Sequence, residues 1–199
     1  SIVIHCLHKS DYEDAGQILT SAFQRFGSWR SDLALIHHLQ PDGLFLAKVN
    51  GIPAGMVTAV IYPAFAYVGL MAVHEKYQHQ GLGLALMENL LAWLTKKQMP
   101  VARLDASPAG QHLYEQLGFM PKGRADVFQP NKIPSVSLIP PDIRMILPHD
   151  LERISSLNTQ AFGTDRSVVL SKLLAMYPER GFLRADATGR VNGYIIAQN

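Results

Sequence analysis

Apolar and polar positions along residues 2–119 predict short strands that alternate with helices. Apolar residues recur every three or four positions in residues 15–23 and 86–94, which is typical of one buried helix face. Strand-length apolar runs lie between them, and Asn50-Gly51 joins two runs in a way that favours a tight hairpin. The predicted order is β-α-α-β-β-β-α-β-α-β. Hairpins first and helical crossovers later indicate a mixed sheet with helices on both faces.

The element boundaries follow from the same pattern. Ser10 and Glu13 have the spacing of a capping box, which predicts Ser10 as the N-cap of the first helix. Pro100 ends the third helix, and Gly118 suits the position just after the fourth. The predicted helices cover residues 10–23, 31–39, 82–97 and 109–117. The predicted strands cover residues 2–7, 44–49, 54–61, 66–73 and 102–106, with extended chain again from residue 119.

The opening pattern returns in the last third of the chain. Four prolines fall between residues 130 and 141, where no helical period is present. Beyond them, three glycines repeat earlier glycines at a constant offset of 138. These pairs are Gly43 with Gly181, Gly51 with Gly189, and Gly55 with Gly193. The alternative is two αβ segments that share generic glycine turns. The sequence thus predicts a domain over residues 1–130, a proline-rich linker over 131–141 and a partial second repeat over 142–199, which lacks a counterpart of the loop at Gln78.

Composition narrows the class of protein. The chain has 199 residues, of which 48% are hydrophobic and 17% charged, as in soluble globular proteins. A net charge of +2 without a basic run gives no indication of a nucleic-acid partner. No apolar stretch approaches the roughly 20 residues of a membrane helix, and no signal peptide is expected. The single cysteine, Cys6, excludes an internal disulfide, favours a cytoplasmic location and is expected to be a buried thiol.

Residues 78–83, Gln-His-Gln-Gly-Leu-Gly, lie between a predicted strand and a predicted helix. The first amides of a helix lack intrahelical partners and carry partial positive charge, so this position suits an anion. Glycines there let a phosphate approach the backbone. A P-loop would continue with Lys-Ser/Thr, whereas Gly83 is followed by Leu84 and Ala85. A dinucleotide fingerprint would need a glycine at Leu86. The segment predicts a phosphate-binding loop of another kind.

This loop resembles the acetyl-CoA signature of the GCN5-related N-acetyltransferases, Gln/Arg-x-x-Gly-x-Gly/Ala, at Gln78, Gly81 and Gly83. Residues 113–119, Leu-Tyr-Glu-Gln-Leu-Gly-Phe, resemble the Leu-Tyr-x-x-x-Gly-Phe segment that follows the fifth strand in that family. The resemblance covers about residues 2–130. It implies an α/β fold with a GNAT-type mixed central sheet flanked by helices on both faces, plus a partial second αβ repeat. It also implies an N-acetyltransferase with acetyl-CoA as co-substrate and a small-molecule or peptide amine as acceptor.

The resemblance further implies how acetyl-CoA is bound. Backbone groups of residues 71–73 would bind the pantetheine arm like an added strand, and the amides of residues 79–84 would hold the pyrophosphate. The fourth and fifth strands would splay apart, so that the thioester lies between residues 70–73 and 105–107. The implied cofactor-binding residues are Met71, Ala72, Val73, Gln78, His79, Gln80, Gly81, Leu82, Gly83, Leu84 and Ser107.

Two side chains are the candidates for proton transfer. The resemblance implies that Tyr114 protonates the departing thiolate of CoA, a role that suits a phenol with a pKa of about 10. The alternative is a packing residue whose hydroxyl is bonded to the backbone. Many family members carry a basic glutamate on the fourth strand, but residues 66–73 contain no acid. Asp105 is the nearest candidate base; the alternatives are a solvated or strand-capping carboxylate, with water as the proton acceptor.

The remaining features leave several alternatives open. His74 and His79 alone cannot supply the three or four ligands of a metal site, so no metal is predicted. The partial repeat leaves a homodimer open, and a non-catalytic acyl-CoA-binding or regulatory module is the alternative function. Candidates for lining the acceptor pocket, with ordinary packing as the alternative, are Phe26, Trp29, His37, His38 and Tyr62.

Overall fold

The computed structural model describes residues 1–24, 27–126 and 140–198. The chain divides into two compact units: unit 1 is Ser1–Arg124 and unit 2 is Ala125–Asn199. Most of the predicted linker, residues 131–139, lies outside the described residues. Among the helices that are described, none is long and apolar enough to cross a membrane.

Unit 1 is built on one sheet and four α-helices. The strands are β1 (Ile2–Cys6), β2 (Leu44–Val49), β3 (Ile52–Ile61), β4 (Ala66–Val73) and β5 (Ala102–Arg103). The helices are α1 (Tyr12–Phe23), α2 (Arg30–Leu39), α3 (Leu82–Lys96) and α4 (Pro108–Gln116). The strands lie side by side in the order β1-β2-β3-β4-β5, antiparallel as far as β4 and parallel between β4 and β5.

Helices cover both faces of this sheet. Along β2, Phe45 and Ala47 pack in the cluster that contains α3, whereas Leu44 and Leu46 pack in the cluster that contains α1 and α2. Fully burying one such leucine contributes roughly 1.5–3 kcal/mol, so the two clusters fix which face each strand residue takes. The β2–β3 hairpin turns at Asn50-Gly51, where both residues have positive φ. The predicted fold class, a mixed sheet with helices on both faces, is confirmed.

Two strand predictions were wrong. β5 ends at Arg103 instead of residue 106, because the chain turns away toward α4. Residues 119–126 form no strand, although extended chain was expected from Phe119. Pro121 lacks an amide hydrogen for a ladder, and Gly123 has no side chain to pack, which accounts for this irregular segment.

The start of α1 also differs from the prediction. Ser10 lies within a 3₁₀ turn, Lys9–Asp11, and α1 follows directly. The carboxylate of Asp11 accepts the amide of His8 over 2.9 Å. Asp11 lies three residues after His8, so its carboxylate caps this amide. Asp11 therefore has the capping role that the sequence pattern assigned to Ser10 and Glu13.

Unit 2 repeats the order of elements that opens unit 1. Its strands are β6 (Ile143–Met145), β7 (Gly181–Ala185) and β8 (Val191–Ile196), and its helices are α5 (Leu151–Phe162) and α6 (Ser167–Met176). α5 begins and ends 139 residues after α1. The three strands form a separate antiparallel sheet in the order β6-β7-β8. The described residues of unit 2 hold no counterpart of β4 or α3.

Acid should destabilise unit 2 by protonating Asp150. Its buried carboxylate accepts two hydrogen bonds of 2.7 Å from Arg144 and one of 2.9 Å from the Leu147 amide. The Arg144 hydrogen bonds, more than any other cause, lower the pKa of Asp150 to about 2. The unfolded pKa is about 3.9, so this stabilisation, about 2.5 kcal/mol, is present above pH ~4 and is lost as the pH falls toward 2.

Thermal unfolding of the wild type and of Asp150→Asn between pH 7 and pH 2 measures this effect. The variant should be the less stable protein at pH 7, and the difference should shrink as the pH falls. A difference that stays constant over this range would contradict the assignment to Asp150.

Candidate active site

A β-bulge interrupts the pairing of β4 with β3. The register shifts between Met56 and Thr58, so that Leu70 and Met71 together lie opposite Val57. Leu70 has a φ of 44°, a left-handed conformation that costs free energy for a residue with a side chain. A bulge bends a strand and redirects the side chains that follow it.

The bulge exchanges the two faces of β4. Before it, Val68 packs in the α3 cluster, and after it Leu70 and Ala72 pack in the α1–α2 cluster. Met71 and Val73 therefore face the α3 side. Without the extra residue, the β4 side chains on one side of the bulge would point away from the cluster in which they pack.

Thr58 stabilises the bulge from β3. Its side chain is 1% exposed, and its hydroxyl donates a hydrogen bond of 2.9 Å to the carbonyl of Gly69. This bond satisfies a carbonyl next to the place where the ladder is disrupted.

β4 and β5 separate soon after they begin to pair. Ala66 pairs with Ala102 and Tyr67 with Arg103; beyond these positions no described strand pairs with this edge of β4. The Tyr67 hydroxyl donates to Oδ2 of Asp105 over 2.5 Å. The C-terminal half of β4 thus has an edge free of any described strand, as an added extended ligand requires.

The loop after β4 is held by its own side chains. Nε2 of Gln78 donates to the carbonyl of Val73 over 3.0 Å, and Nε2 of Gln80 donates to the carbonyl of Lys76 over 3.0 Å. Their side chains thus fix the course of the loop. That both glutamines bind the cofactor stays a prediction.

Six consecutive amides at the start of α3, those of residues 79–84, donate to no acceptor among the described residues. The first bond of the helix runs from the Ala85 amide to the Gly81 carbonyl over 3.0 Å. His79 and Gly81 have positive φ values of 59° and 79°. Unpaired amides at a helix N-terminus carry partial positive charge, so this segment fits a pyrophosphate.

Gly83 lets α3 pack closely against β4 and α4. A Cβ atom at this position would lie 3.2 Å from Cδ2 of Leu113, 3.3 Å from Cε of Met71 and 3.8 Å from Cγ2 of Val73. Any larger side chain would push these neighbours or α3 itself aside. The glycine thus keeps the unpaired amides of α3 close to β4, as a single ligand that contacts both requires.

Tyr114 follows Leu113 on α4. Its ring packs edge-on against Phe119, with ring centres 6.0 Å apart. Gly110 permits this position, because a Cβ atom there would lie 3.0 Å from the Tyr114 ring. Burial raises the pKa of Tyr114 above its ordinary value of 10, so the phenol stays protonated at neutral pH. Its hydroxyl bonds to no described residue, so the alternative of a backbone-bonded hydroxyl is not observed there.

Ser107 and Asp105 lie between β5 and α4. Oγ of Ser107 accepts the amide of Gly110 over 3.2 Å, so this predicted cofactor residue is the N-cap of α4. Asp105 is exposed, and one of its oxygens accepts the Tyr67 hydroxyl. The roles of Ser107 in cofactor binding and of Asp105 as base stay predictions.

The residues proposed for an acceptor pocket have other neighbours. Nδ1 of His37 lies 3.0 Å from the Tyr12 hydroxyl, and Trp29, which is buried, donates to Thr20 over 3.2 Å. Tyr62 packs against Phe65, with ring centres 6.2 Å apart. His38 is exposed, and Phe26 lies outside the described residues. Of the described members of this set, Trp29 alone lines the groove of about 470 Å³ along α1, whose other walls include Gln17, His74 and Glu75.

Cys6 and the potential metal ligands are the remaining candidates. Cys6 is half-buried, with Sγ 3.7 Å from the Pro41 carbonyl, and burial raises its pKa, as expected of an unreactive thiol. In residues 1–24, 27–126 and 140–198, no three His, Cys, Asp or Glu side chains are placed to bind one metal ion.

Residues 7–119 match the family described as Acetyltransferase (GNAT) family, and this match spans more than half of the chain. The chain belongs to this family. The predicted family and the acyltransferase class are therefore confirmed. No curated protein matches the chain.

Solved structures show the same fold. A putative acetyltransferase from Pyrococcus horikoshii is 25% identical, with a TM-score of 0.73, and the match covers 99% of this chain and 72% of that one. The ribosomal-protein-S18-alanine N-acetyltransferase from Escherichia coli is 27% identical, with a TM-score of 0.55, over 62% of this chain and 80% of that one. Ard1 from Thermoplasma volcanium is 23% identical, with a TM-score of 0.56, over 61% and 84% of the two chains, and shows the fold alone.

Three residues that shape the site were missed at the level of sequence. Thr58 and Tyr67 act through partners that are distant along the chain, and no local pattern marks them. Gly110 could have been suspected, because a glycine inside a helix costs about 1 kcal/mol relative to alanine and needs a reason.

Replacing Thr58 by valine should destabilise the protein by about 1–3 kcal/mol. The substitution conserves shape but removes the buried Thr58 hydroxyl that donates to the Gly69 carbonyl. Urea denaturation measures the change. The matched control is Thr95→Val, which removes an exposed hydroxyl bonded within α3 and should cost less than about 0.5 kcal/mol. Equal stability of the two variants would contradict the role of Thr58.

Proposed function

We propose that the chain transfers an acetyl group from acetyl-CoA to a primary amine by direct attack. The observation that carries the proposal is the row of six unpaired amides, residues 79–84, beside the free edge of β4. A helix N-terminus binds the pyrophosphate of a nucleotide, and a free strand edge binds an extended arm. Acetyl-CoA has both a pyrophosphate and an extended pantetheine arm, and the arm ends in the thioester.

The residues divide the binding of acetyl-CoA between them. The amides from His79 to Leu84 hold the pyrophosphate without a lysine, since the helix dipole supplies the positive charge. Backbone groups of residues 71–73 bond the amides of the pantetheine arm. Gly83 lets the start of α3 lie close to Met71 and Val73, so that one molecule can contact both.

The chemical step makes a C–N bond and breaks a C–S bond. The amine attacks the thioester carbonyl, and backbone amides of β4 stabilise the oxygen as it becomes negative. Tyr114, whose phenol is protonated at neutral pH, then donates its proton to the departing thiolate.

The proton of the attacking amine needs an acceptor. β4 carries no acid, and Asp105 is the nearest carboxylate along the chain. One Asp105 oxygen accepts the Tyr67 hydroxyl, which leaves the other free for a proton or a water molecule. Water alone serves equally when the amine enters deprotonated.

The proposed acceptor is either a peptide amine or a small-molecule amine. A relative at 27% identity is a ribosomal-protein-S18-alanine N-acetyltransferase, whereas a glucosamine-6-phosphate N-acetyltransferase from Arabidopsis thaliana shares the fold at 17% identity. Sites on one fold accept different substrates, so neither relative decides the class. A cytoplasmic location is proposed from the single cysteine.

The second candidate is a non-catalytic acyl-CoA-binding or regulatory module. The observation that favours it is the lack of an acid on β4. Release of free CoA from acetyl-CoA in the presence of a panel of peptide and small-molecule amines separates the two. Amine-dependent release supports transfer, whereas binding without release at any amine supports the module.

Gly83→Val should weaken acetyl-CoA binding at least about tenfold. The valine methyl groups would enter the space between Leu113, Met71 and Val73. Thermal-shift titration measures the loss, since a ligand at 100 times its Kd stabilises by about 2.7 kcal/mol. The control is Gly123→Val, whose added Cβ would meet nothing within 4 Å. Normal affinity in Gly83→Val would refute the proposed path of the arm.

Tyr114→Phe should lower kcat while leaving acetyl-CoA affinity nearly unchanged. A general acid contributes about 10²–10⁴-fold, and the ring packing against Phe119 is conserved. Steady-state kinetics with the best amine of the panel measures the effect. Tyr177→Phe, which removes a hydroxyl in unit 2, is the control and should match the wild type. Unchanged kcat in Tyr114→Phe would remove the acid role.

A further inference from the structure

A side-chain hydrogen bond crosses the point at which β4 and β5 separate. Tyr67 pairs with Arg103, the last residue of β5, and its hydroxyl donates to Oδ2 of Asp105 over 2.5 Å. Asp105 lies two residues beyond the end of β5 and is still held to β4 by this bond. The bond therefore fixes the position of a carboxylate beside the free edge of β4.

The Tyr67 side chain stands on the face of the sheet that α1 and α2 cover. Ala66 and Val68 pack in the α3 cluster, so Tyr67 between them points to the opposite face. Gly69 belongs to that same face, because it follows Val68 and precedes the bulge. The oxygen of Asp105 that accepts the Tyr67 hydroxyl is therefore held toward the α1–α2 side of the separation.

The proposed path of acetyl-CoA follows the other side of β4. Met71 and Val73 face the α3 side, where the unpaired amides of residues 79–84 also lie. A nucleophile attacks a planar carbonyl from above or below its plane, so the amine needs a side of the thioester that the arm leaves open. The α1–α2 side, where Asp105 is held, is available for that approach.

Gly69 leaves a space on this side, directly before the bulge. Among the described residues, a Cβ atom there would have one neighbour within 4 Å, Oγ1 of Thr58 at 3.8 Å, which is an ordinary contact. The φ of Gly69 is not positive. Neither backbone conformation nor a described neighbour requires this glycine, although glycine in a strand costs about 0.5–1 kcal/mol relative to alanine. A glycine inside a strand often marks the close approach of a ligand.

Asp105 has the hydrogen-bonding state that a general base needs. Its carboxylate is exposed and accepts one hydrogen bond, from Tyr67. Among the described residues no cation forms an ion pair with it, and Arg103 instead lies 4.1 Å over the ring of Phe65. The side chain that caps α4 is Ser107. Asp105 thus has one oxygen that is oriented and one, Oδ1, that is free to accept a proton.

We propose that Tyr67 is a positioning residue, which holds Asp105 beside the space at Gly69 so that the carboxylate takes the proton of the attacking amine. This assignment rests on the proposed acetyl transfer and names Asp105, not water, as the proton acceptor. The amine enters over Gly69, on the side of β4 that the pantetheine arm does not use.

Bonds and protons balance in this step. The lone pair of the amine nitrogen forms the C–N bond, and the C–S bond breaks with its electron pair going to sulfur. The nitrogen loses one proton to Oδ1 of Asp105, while Tyr114 protonates the thiolate. Asp105 then releases its proton to water and Tyr114 takes one from water, so both residues return to their starting states.

Steady-state kinetics of Asp105→Asn and Tyr67→Phe test the assignment. The probes are acetyl-CoA with trialanine amide, a peptide amine, and acetyl-CoA with propylamine, a small-molecule amine. Asp105→Asn should lower kcat at least about 100-fold and Tyr67→Phe about tenfold, within the range of general base catalysis. The KM for acetyl-CoA should change less than about twofold, because neither side chain lies on the path of the arm. Tyr177→Phe in unit 2 is the control and should match the wild type.

The double variant separates positioning from packing. If Tyr67 acts through Asp105, adding Tyr67→Phe to Asp105→Asn should lower kcat no further. A purely structural role of Tyr67 would make the two losses multiply.

Gly69→Ala tests the side from which the amine enters. The added methyl group meets only Oγ1 of Thr58, at 3.8 Å, so the variant should melt at the temperature of the wild type or above it. It should nevertheless raise the KM for trialanine amide about tenfold, because misplacing the amine slows its attack. Acetyl-CoA affinity, measured by calorimetry, should be unchanged.

The outcomes distinguish this assignment from the proposed function. A wild-type kcat in Asp105→Asn, losses that multiply in the double variant, or an unchanged amine KM in Gly69→Ala would each overturn the assignment and leave acetyl transfer in place. No amine-dependent release of CoA by the wild type with either amine would remove both.

Discussion

The separation of β4 from β5 is the constraint on which the site depends. A strand edge normally seeks a partner, and here pairing stops after two residue pairs. The Tyr67–Asp105 bond spans the point of separation, while Thr58 holds the bulge at Leu70 from the other side. The free edge follows from this interruption, and the unpaired amides at the start of α3 lie beside it. Gly83 lets α3 approach β4 closely.

The sequence predicts the anion loop because its requirements are local. Gly81 and Gly83 stand where a helix must start, directly after an apolar strand, and both conditions can be recognised in neighbouring residues. The bulge has no such mark, since its positive φ falls on Leu70 and arises from the register between β3 and β4. Tyr67 and Asp105 are 38 residues apart, so only the folded chain brings them together. Features set by neighbouring residues could thus be predicted, whereas features set by long-range pairing could not.

The predicted repeat shows the same difference between local and long-range features. Matching glycines predict a second copy, which stays a prediction; the elements of unit 2 follow the order of those that open unit 1. The α1 prediction failed locally because Asp11 reaches the His8 amide, and Asp150 contacts the Leu147 amide in the same way.

The central claim is that acetyl-CoA lies along the free edge of β4 with its pyrophosphate on the start of α3. Backbone amide NMR of the ¹⁵N-labelled chain during an acetyl-CoA titration tests this most directly. Saturable shifts confined to one site, centred on the amides of residues 79–84 and extending to residues 71–73, are predicted. No shifts at these amides in a folded sample, or shifts centred on unit 2, would contradict the claim.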